Sequence, residues 1–351
     1  MVEIDPDITR ASTLPSNYYT DPQLFETITS KFRSNWNFIG HASQFKENMI
    51  LPISVNSQQL IITKSKGVFN CLSNVCTHRG MILQDKIECK KTLICPYHGR
   101  SFSLDGKFKN MPEFETAKDF PSEKDNLHNF NLELWNDLIF ISNEPNSPLQ
   151  DWLKVIDNRM EFLHLEELIY DSSRERNYII KANWALYVDN YLEGFHIPFV
   201  HKDLNNALEY SEYETELFEG GVLQIGIAQK GVPYFDIPDS HQDSGKKIAA
   251  YYWWVYPNMM LNFYPWGLSI NTIKPITVEE TEVCYHGFIL NEELLGKGAG
   301  GDLDKVELED QFIVESCQLG MSSSNYKNGR YSPTMERGVH HFHRILTDSE
   351  N

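Results

Sequence analysis

The spacing of apolar residues changes character along the chain. Residues 1–35 are polar and irregular, which predicts an arm ending in a short helix opened by Asp21-Pro22. From Trp36 onward, short apolar runs (Ile50–Val55, Leu60–Thr63, Val68–Leu72) alternate with Asn, Ser, Gly and Lys, and this continues to Leu138–Ile141. Such a pattern predicts short antiparallel strands joined by turns. The stretch Asn143–Pro148, with Pro145 and Pro148, marks a domain boundary. Beyond it the periods mix. Asp151–Leu168 and Asn183–Val200 read as helices, the second interrupted by Pro198. Lys247–Ile276 holds two strand-like runs and Glu282–Leu290 a third, with a turn at Val278-Glu279-Glu280. Leu303, Val306, Phe312 and Ile313 recur at helical spacing and predict a helix over Leu303–Leu319; a last helix is expected over Met335–Leu346. The reading is α+β: an arm (1–35), an all-β domain (36–147) and a mixed domain (148–351). The glycine-rich Gly296–Asp302 lacks the Lys-Ser/Thr ending of a phosphate loop and reads as a flexible connection.

Composition narrows the partners. The 351 residues suffice for two ordinary domains, and 41% hydrophobic with 23% charged residues allows packed cores. With 31 basic and 49 acidic side chains the net charge is -18, which repels nucleic acid and anionic membranes and leaves small molecules and basic proteins as partners. No run of 18 apolar residues exists, so no transmembrane helix is expected. The acidic, polar start shows no signal peptide, and six irregularly spaced Cys form no disulfide framework, so a reducing cytoplasm is the expected location.

Two groups of residues carry chemistry. In the first, Cys76-Thr77-His78 is followed after 16 residues by Cys95-Pro96-Tyr97-His98. Two loops that each bring one thiol and one imidazole suit a two-iron cluster, one iron taking both thiolates and the other both imidazoles. A tetrahedral zinc site is the alternative. Zinc fingers, however, run Cys-Cys then His-His, whereas here each loop supplies one of each. Cys71 and Cys89 read as ordinary buried thiols.

The second group is His196 and His201. Five residues turn a helical side chain by about 140°, so the two imidazoles share no face of one helix. Pro198 lies between them and lets the second swing back. Two imidazoles plus one carboxylate, with positions left open, form the facial triad of oxygen-activating Fe(II) enzymes.

At this point a family resemblance is plain. Asn74–Gly80 and Cys95–Gly99 resemble the two cluster loops of Rieske domains, and Glu193–His201 resembles the iron motif of Rieske non-haem iron oxygenases. The resemblance extends over nearly the whole chain, through Tyr264-Pro265-Trp266-Gly267 and Glu336–Phe342, and is strongest to the choline, glycine-betaine and carnitine branch. It implies a β Rieske domain followed by a helix-grip catalytic domain. It implies a [2Fe-2S] cluster on Cys76, His78, Cys95 and His98, and a mononuclear Fe(II) on His196, His201 and Asp310, with Glu309 as the fallback ligand. Glu193 stands where the family keeps an acidic bridge to the cluster of a neighbouring subunit, and Asn190 matches a polar residue near the iron. Met81 and Tyr97 replace the disulfide of respiratory Rieske proteins, and Arg100 and Phe102 replace their hydrogen-bond donors, which implies a low potential. Tyr187, Trp253, Trp254, Tyr264 and Trp266 are candidate pocket residues, at most one of the adjacent pair Trp253 and Trp254 facing the pocket. His340, His341 and His343 read as helix packing or surface.

The implied activity is that of an oxygenase component fed by a NAD(P)H-dependent flavin and iron–sulfur reductase, oxidising a small quaternary ammonium compound. Dihydroxylation or demethylation of an aromatic substrate is the alternative. A lone electron carrier and a zinc-binding module are the readings from other classes. The family further implies a head-to-tail homotrimer.

Overall fold

In the computed structural model, which describes residues 2–348, the chain forms two compact units: Lys31–Ile156, and Met1–Ser30 with Asp157–Asn351. The N-terminal arm therefore folds with the second half of the chain.

The first unit is built from ten short strands. They are β1 (Asn37–His41), β2 (Met49–Val55), β3 (Gln58–Ser65), β4 (Val68–Ser73) and β5 (Glu88–Cys89). Then come β6 (Leu93–Ile94), β7 (Ser101–Phe102), β8 (Phe108–Asn110), β9 (Asn129–Trp135) and β10 (Leu138–Ser142). One antiparallel sheet has the order β1-β10-β9-β4-β3-β2-β5, and β6-β7-β8 form a small second sheet. Two-residue loops close three hairpins: Asn56-Ser57, Lys66-Gly67 and Asn136-Asp137, all with positive φ. Those are the loops whose twist matches a strand pair. The core gathers Ile50, Ile61, Leu72, Leu93, Phe102 and Leu127 around Cys76 and Cys95.

The second unit opens with α1 (Asn17–Thr20) and α2 (Pro22–Ser30). Asp21 caps α2, its Oδ1 accepting from the backbone N of Gln23 at 2.8 Å and of Leu24 at 3.2 Å. The helix expected over Asp151–Leu168 is α3 (Leu149–Met160); it stops at Met160, and a turn with a short 3-10 segment (Leu165–Glu167) leads to the next strand. Seven strands then form one antiparallel sheet in the order β11-β17-β16-β15-β14-β13-β12. They are β11 (Ile169–Ile180), β12 (Glu214–Phe218), β13 (Gly221–Ile227), β14 (Ile248–Val255), β15 (Met259–Tyr264), β16 (Gly267–Thr277) and β17 (Glu280–Ile289). Every residue of β13, β14 and β15 is buried. A sheet covered on both faces loses the apolar–polar alternation that announces a strand, so β13 escaped the sequence reading.

Five helices complete the unit: α4 (Trp184–Tyr191), α5 (Ile197–Val200), α6 (Lys202–Ala207), α7 (Leu303–Met321) and α8 (Arg337–Thr347). The Asn183 side chain caps α4 by accepting from the Ala185 amide at 2.9 Å, and Asp302 caps α7 by accepting from Lys305 N at 3.0 Å. The single helix expected over Asn183–Val200 is two. It ends at Tyr191, ahead of the proline. Pro198 lies in the first turn of α5, where no amide partner is required, so it starts a helix here and breaks none. The α+β character and the antiparallel catalytic sheet are as the sequence implied.

Candidate metal centres

The two Cys-His loops have the same backbone design. Gly80 N donates to Cys76 O at 3.0 Å, and Gly99 N donates to Cys95 O at 3.1 Å. Both glycines have φ near +72° (72 and 73), a region that a side chain would strain. Each turn thus closes over a cysteine and ends on a residue without Cβ. Cys76 and Cys95 are buried, while His78 is half-buried and His98 exposed. The two imidazole rings meet edge to face with centroids 4.9 Å apart. Burial, with the sulfur of Cys95 close by, raises the Cys76 thiol above its ordinary value. A thiolate here calls for a positive partner.

Thiols inside and imidazoles outside is the arrangement of a two-iron cluster with one iron at the surface. A single zinc at 2.0–2.3 Å from each ligand would instead draw all four donors to within about 4.5 Å of one another. Among the described residues only His196, His201 and Asp310 are three such donors within 4.8 Å, so the Cys-His set is too spread for one zinc. Arg100, at a position where respiratory proteins keep a donor, turns inward. It pairs with Asp125 at 2.6 Å and lies over the rings of Phe102, Phe108 and Phe120. Cys71 is buried, and burial pushes its thiol up to about 12. Cys89, expected to be buried, is exposed because it ends an edge strand.

The second centre is assembled from α4, α5, the turn between them and α7. His196 Nε2 and His201 Nε2 face each other at 3.1 Å. Asp310 Oδ1 lies 2.9 Å from His201 Nε2 and 3.6 Å from His196 Nε2. The carboxylates behind the rings fix the tautomers. Glu193 Oε1 is 2.7 Å from His196 Nδ1, and Glu309 Oε2 is 2.7 Å from His201 Nδ1. A carboxylate only accepts, so each Nδ1 carries the proton and each neutral ring turns an Nε2 lone pair inward. Two lone pairs and a carboxylate aimed at one point repel unless a cation or proton lies between them. Burial works against charge on His201, yet Asp310 and Glu309 outweigh it and raise the imidazole above its ordinary value. The donor set therefore fits a divalent metal. Asn190 donates to Asp310 at 2.6 Å and orients it. Spacing could not separate Glu309 from Asp310; the helix face separates them, placing Asp310 against both Nε2 atoms and Glu309 at the back of His201.

The aromatic candidates divide. Tyr264 and Trp266 stack at 5.3 Å, with Tyr252, unnoticed in the sequence, edge-on to Tyr264 at 5.9 Å. These rings share a core with Ile197, the residue after His196. Trp253 points to the opposite face of β14 and packs on Phe218 at 5.6 Å, so it does not join them. Trp254 packs on Phe342 of α8. Tyr187 bonds a buried acid, Glu307, that the sequence reading passed over. Its one signal was that Glu307 lies three residues before Asp310, on a neighbouring helical row. The C-terminal histidines are helix packing: His340 reaches Asp5 O, His341 reaches Phe218 O, and buried His343 joins Asp189, Tyr331 and Tyr19.

Comparison with known proteins agrees with both centres. Residues 35–121 match the Rieske [2Fe-2S] domain and residues 152–349 the ring hydroxylating alpha subunit (catalytic domain). The chain belongs to this family: it is the oxygenase component of a Rieske non-haem iron oxygenase, an oxidoreductase with a [2Fe-2S] domain and a catalytic domain of the kind that binds mononuclear iron. Within it the chain is related to choline and carnitine monooxygenases. It is 29% identical to the chloroplastic choline monooxygenase of Arabidopsis thaliana over 99% of this chain and 85% of the relative. It is 28% identical to the carnitine monooxygenase oxygenase subunit of Escherichia coli K12 over 96% and 93%. A solved quaternary ammonium Rieske monooxygenase, described as oxidising carnitine with inter-subunit electron transfer, superposes with a TM-score of 0.80 at 25% identity, covering 97% and 96% of the two chains.

Proposed function

We propose that this chain oxidises a small quaternary ammonium substrate at an Fe(II) held by His196, His201 and Asp310, with electrons from a NAD(P)H reductase entering through a cluster on Cys76, His78, Cys95 and His98. The observation that carries the reading is the convergence of two Nε2 atoms and one carboxylate, each imidazole anchored from behind by a second carboxylate. The kinship with choline and carnitine monooxygenases supplies the substrate class. When bound, the cluster supplies electrons and the iron a redox site for O2.

The residues around the iron would divide the remaining work. Glu193 and Glu309 hold the Nδ1 protons and so keep the metal-facing nitrogens basic. Asn190 fixes one oxygen of Asp310. Tyr264, with Tyr252 edge-on to it, is the aromatic candidate for attracting an alkylammonium, at roughly 0.5–2 kcal/mol, whereas Trp266 is stacked on Tyr264 and carries the Arg174 guanidinium 5.4 Å over its ring. Glu193 is the proposed electron bridge to the cluster of a neighbouring subunit. A homotrimer is proposed on the same ground. In support, a groove of about 650 Å³ lies beside Glu309, lined by Phe199, Val200, Leu308 and Phe312. Phe199 is 78% and Phe312 71% exposed, an apolar surface suited to a second copy of the chain. Functionally we divide the chain into the arm (1–35), the Rieske domain (36–147) and the catalytic domain (148–351). No helix among the described residues is long and apolar enough to cross a membrane, and a cytoplasmic enzyme is proposed.

Anaerobic purification, followed by absorption, EPR after reduction and metal quantification, tests the cofactors. About three irons per chain and the low average g-value of a two-His cluster are expected. Oxygen uptake driven by trimethylammonium compounds and not by aromatic hydrocarbons tests the substrate class. The reverse preference would move the reading to ring hydroxylation.

A further inference from the structure

Four charged side chains of the protein are buried among the described residues: Arg100, Arg159, Asp243 and Glu307. Three are matched. Arg100 pairs with Asp125 at 2.6 Å, and Arg159 with Asp243 at 2.5 Å and with Glu216 at 2.9 Å. Glu307 is the exception. It is 0% exposed, and no Lys, Arg or His among the described residues forms an ion pair with it. Its Oε2 accepts from the Tyr187 hydroxyl at 2.5 Å and from the Tyr285 hydroxyl, and the two phenols lie 3.0 Å apart. Its Oε1 has no hydrogen-bond partner. Burial pushes this carboxyl up to about 8, the two phenols working against the rise and the charge of Asp310 adding to it.

An ionised carboxyl taken out of water without a counter-charge is costly. With no cation beside it this one therefore keeps its proton, and would give it up as a cation comes alongside. A neutral side chain of the same shape would fill the space without that cost. This one sits on α7 one turn before Asp310, and its phenol partners come from α4, which carries Asn190, and from β17. A fully buried acid with one oxygen left bare, three residues from the imidazole-facing Asp310, marks a place for a partner of opposite charge. The missing partner is a cation, and none of the described residues supplies it.

We infer that Glu307, backed by Tyr187 and Tyr285, is the acidic element that receives the positive end of the substrate beside the Fe(II) site and so selects cations over neutral molecules of the same shape. This inference rests on the quaternary ammonium reading of the function. It adds the residue that makes the choice: the two phenols hold Oε2 and leave Oε1 as the atom without a partner, toward which the ammonium charge is drawn. It also assigns Tyr187 a place behind the acid, apart from the stacked pair Tyr264 and Trp266.

The test uses the iron-loaded protein under argon and two probes, choline and its neutral carbon isostere dimethylbutanol, with affinities measured by calorimetry. The expected result is that wild type prefers choline. In Glu307→Gln the preference falls by about tenfold or more, affinity for the alcohol is unchanged, and the iron content is retained. Gln keeps an oxygen that accepts from both phenols, so the fold is expected to persist. Should that variant fail to fold or lose iron, Glu307→Asp decides. It keeps the charge one methylene further back, and the preference must drop while alcohol affinity holds. A full choline preference in the variants overturns this inference and leaves the substrate class standing. A wild type with no preference for choline overturns both.

Discussion

Behind each imidazole of the proposed iron centre stands a carboxylate, and this pairing sets what single substitutions do. Glu309→Ala removes the acceptor from His201 Nδ1 without touching the metal-facing atoms. Iron affinity should fall about 10–100-fold while the cluster absorption stays, as a chelator titration with iron counting would read. Glu193→Gln keeps an acceptor for His196 Nδ1 but removes the charge. It is expected to hold both metals and yet to reoxidise its reduced cluster slowly in the presence of substrate and O2, seen by stopped-flow absorbance; unchanged reoxidation would end the bridging role. Glu307 makes stability depend on pH in a stated direction. Its folded value of about 8 lies above the ordinary 4.5, so the folded state holds a proton that the unfolded state has lost. Its contribution is complete below about pH 4.5 and is lost as pH rises through 8. Melting temperatures measured from pH 5 to 8 should therefore fall more, or rise less, in wild type than in Glu307→Gln.

At the scale of elements, the iron loop depends on how α4 ends. After Tyr191 the chain turns through Gly194, and a Cβ there would lie 2.8 Å from the Tyr213 ring. Tyr213 belongs with the tyrosines of the aromatic core, so neither side yields easily. Gly194→Ala should cost about 1–3 kcal/mol in chemical denaturation and displace His196, lowering iron content at equal cluster content. The other end of α4 is held by Asn183. Its side chain caps the helix and donates to Val278 O at 3.0 Å, and its backbone N donates to Gln318 of α7 at 2.9 Å. The helix carrying Asn190 and the helix carrying Asp310 are thereby fixed to each other. The break between α4 and α5 was foreseen but misplaced. The sequence offered Pro198 as the interruption, whereas α4 already ends at Tyr191 and Pro198 lies in the first turn of α5.

At the scale of the whole molecule, the proposed trimer rests on an apolar surface in an otherwise acidic protein. Sedimentation should give three times the chain mass of 40.7 kDa. Phe312→Asp, at a residue 71% exposed in the groove, should shift it toward monomer and uncouple turnover while each chain keeps its iron. The net charge of -18 leads us to expect reductase docking that weakens as salt is raised, if the reductase presents a basic face.

What the sequence determined by itself is the chemistry that lies in short loops. Cys76 and His78, Cys95 and His98, and His196 and His201 are each separated by at most five positions. Pairs so close are placed by the local turn, which Gly80 and Gly99 make legible. The hairpins of the first unit were likewise readable, since their turns are two residues long and polar residues bound their short apolar runs. Tertiary structure alone decided what depends on long-range contact. Asp310 meets His201 across 109 positions, and only the placement of α7 turns Asp310, and not Glu309, toward the two imidazoles. The orientation of Trp253 away from Tyr264 follows from the register of a sheet buried on both faces, where periodicity carries no signal. The isolation of Glu307 is a property of everything packed around it: no residue adjacent in sequence records that a buried acid has been left without a cation.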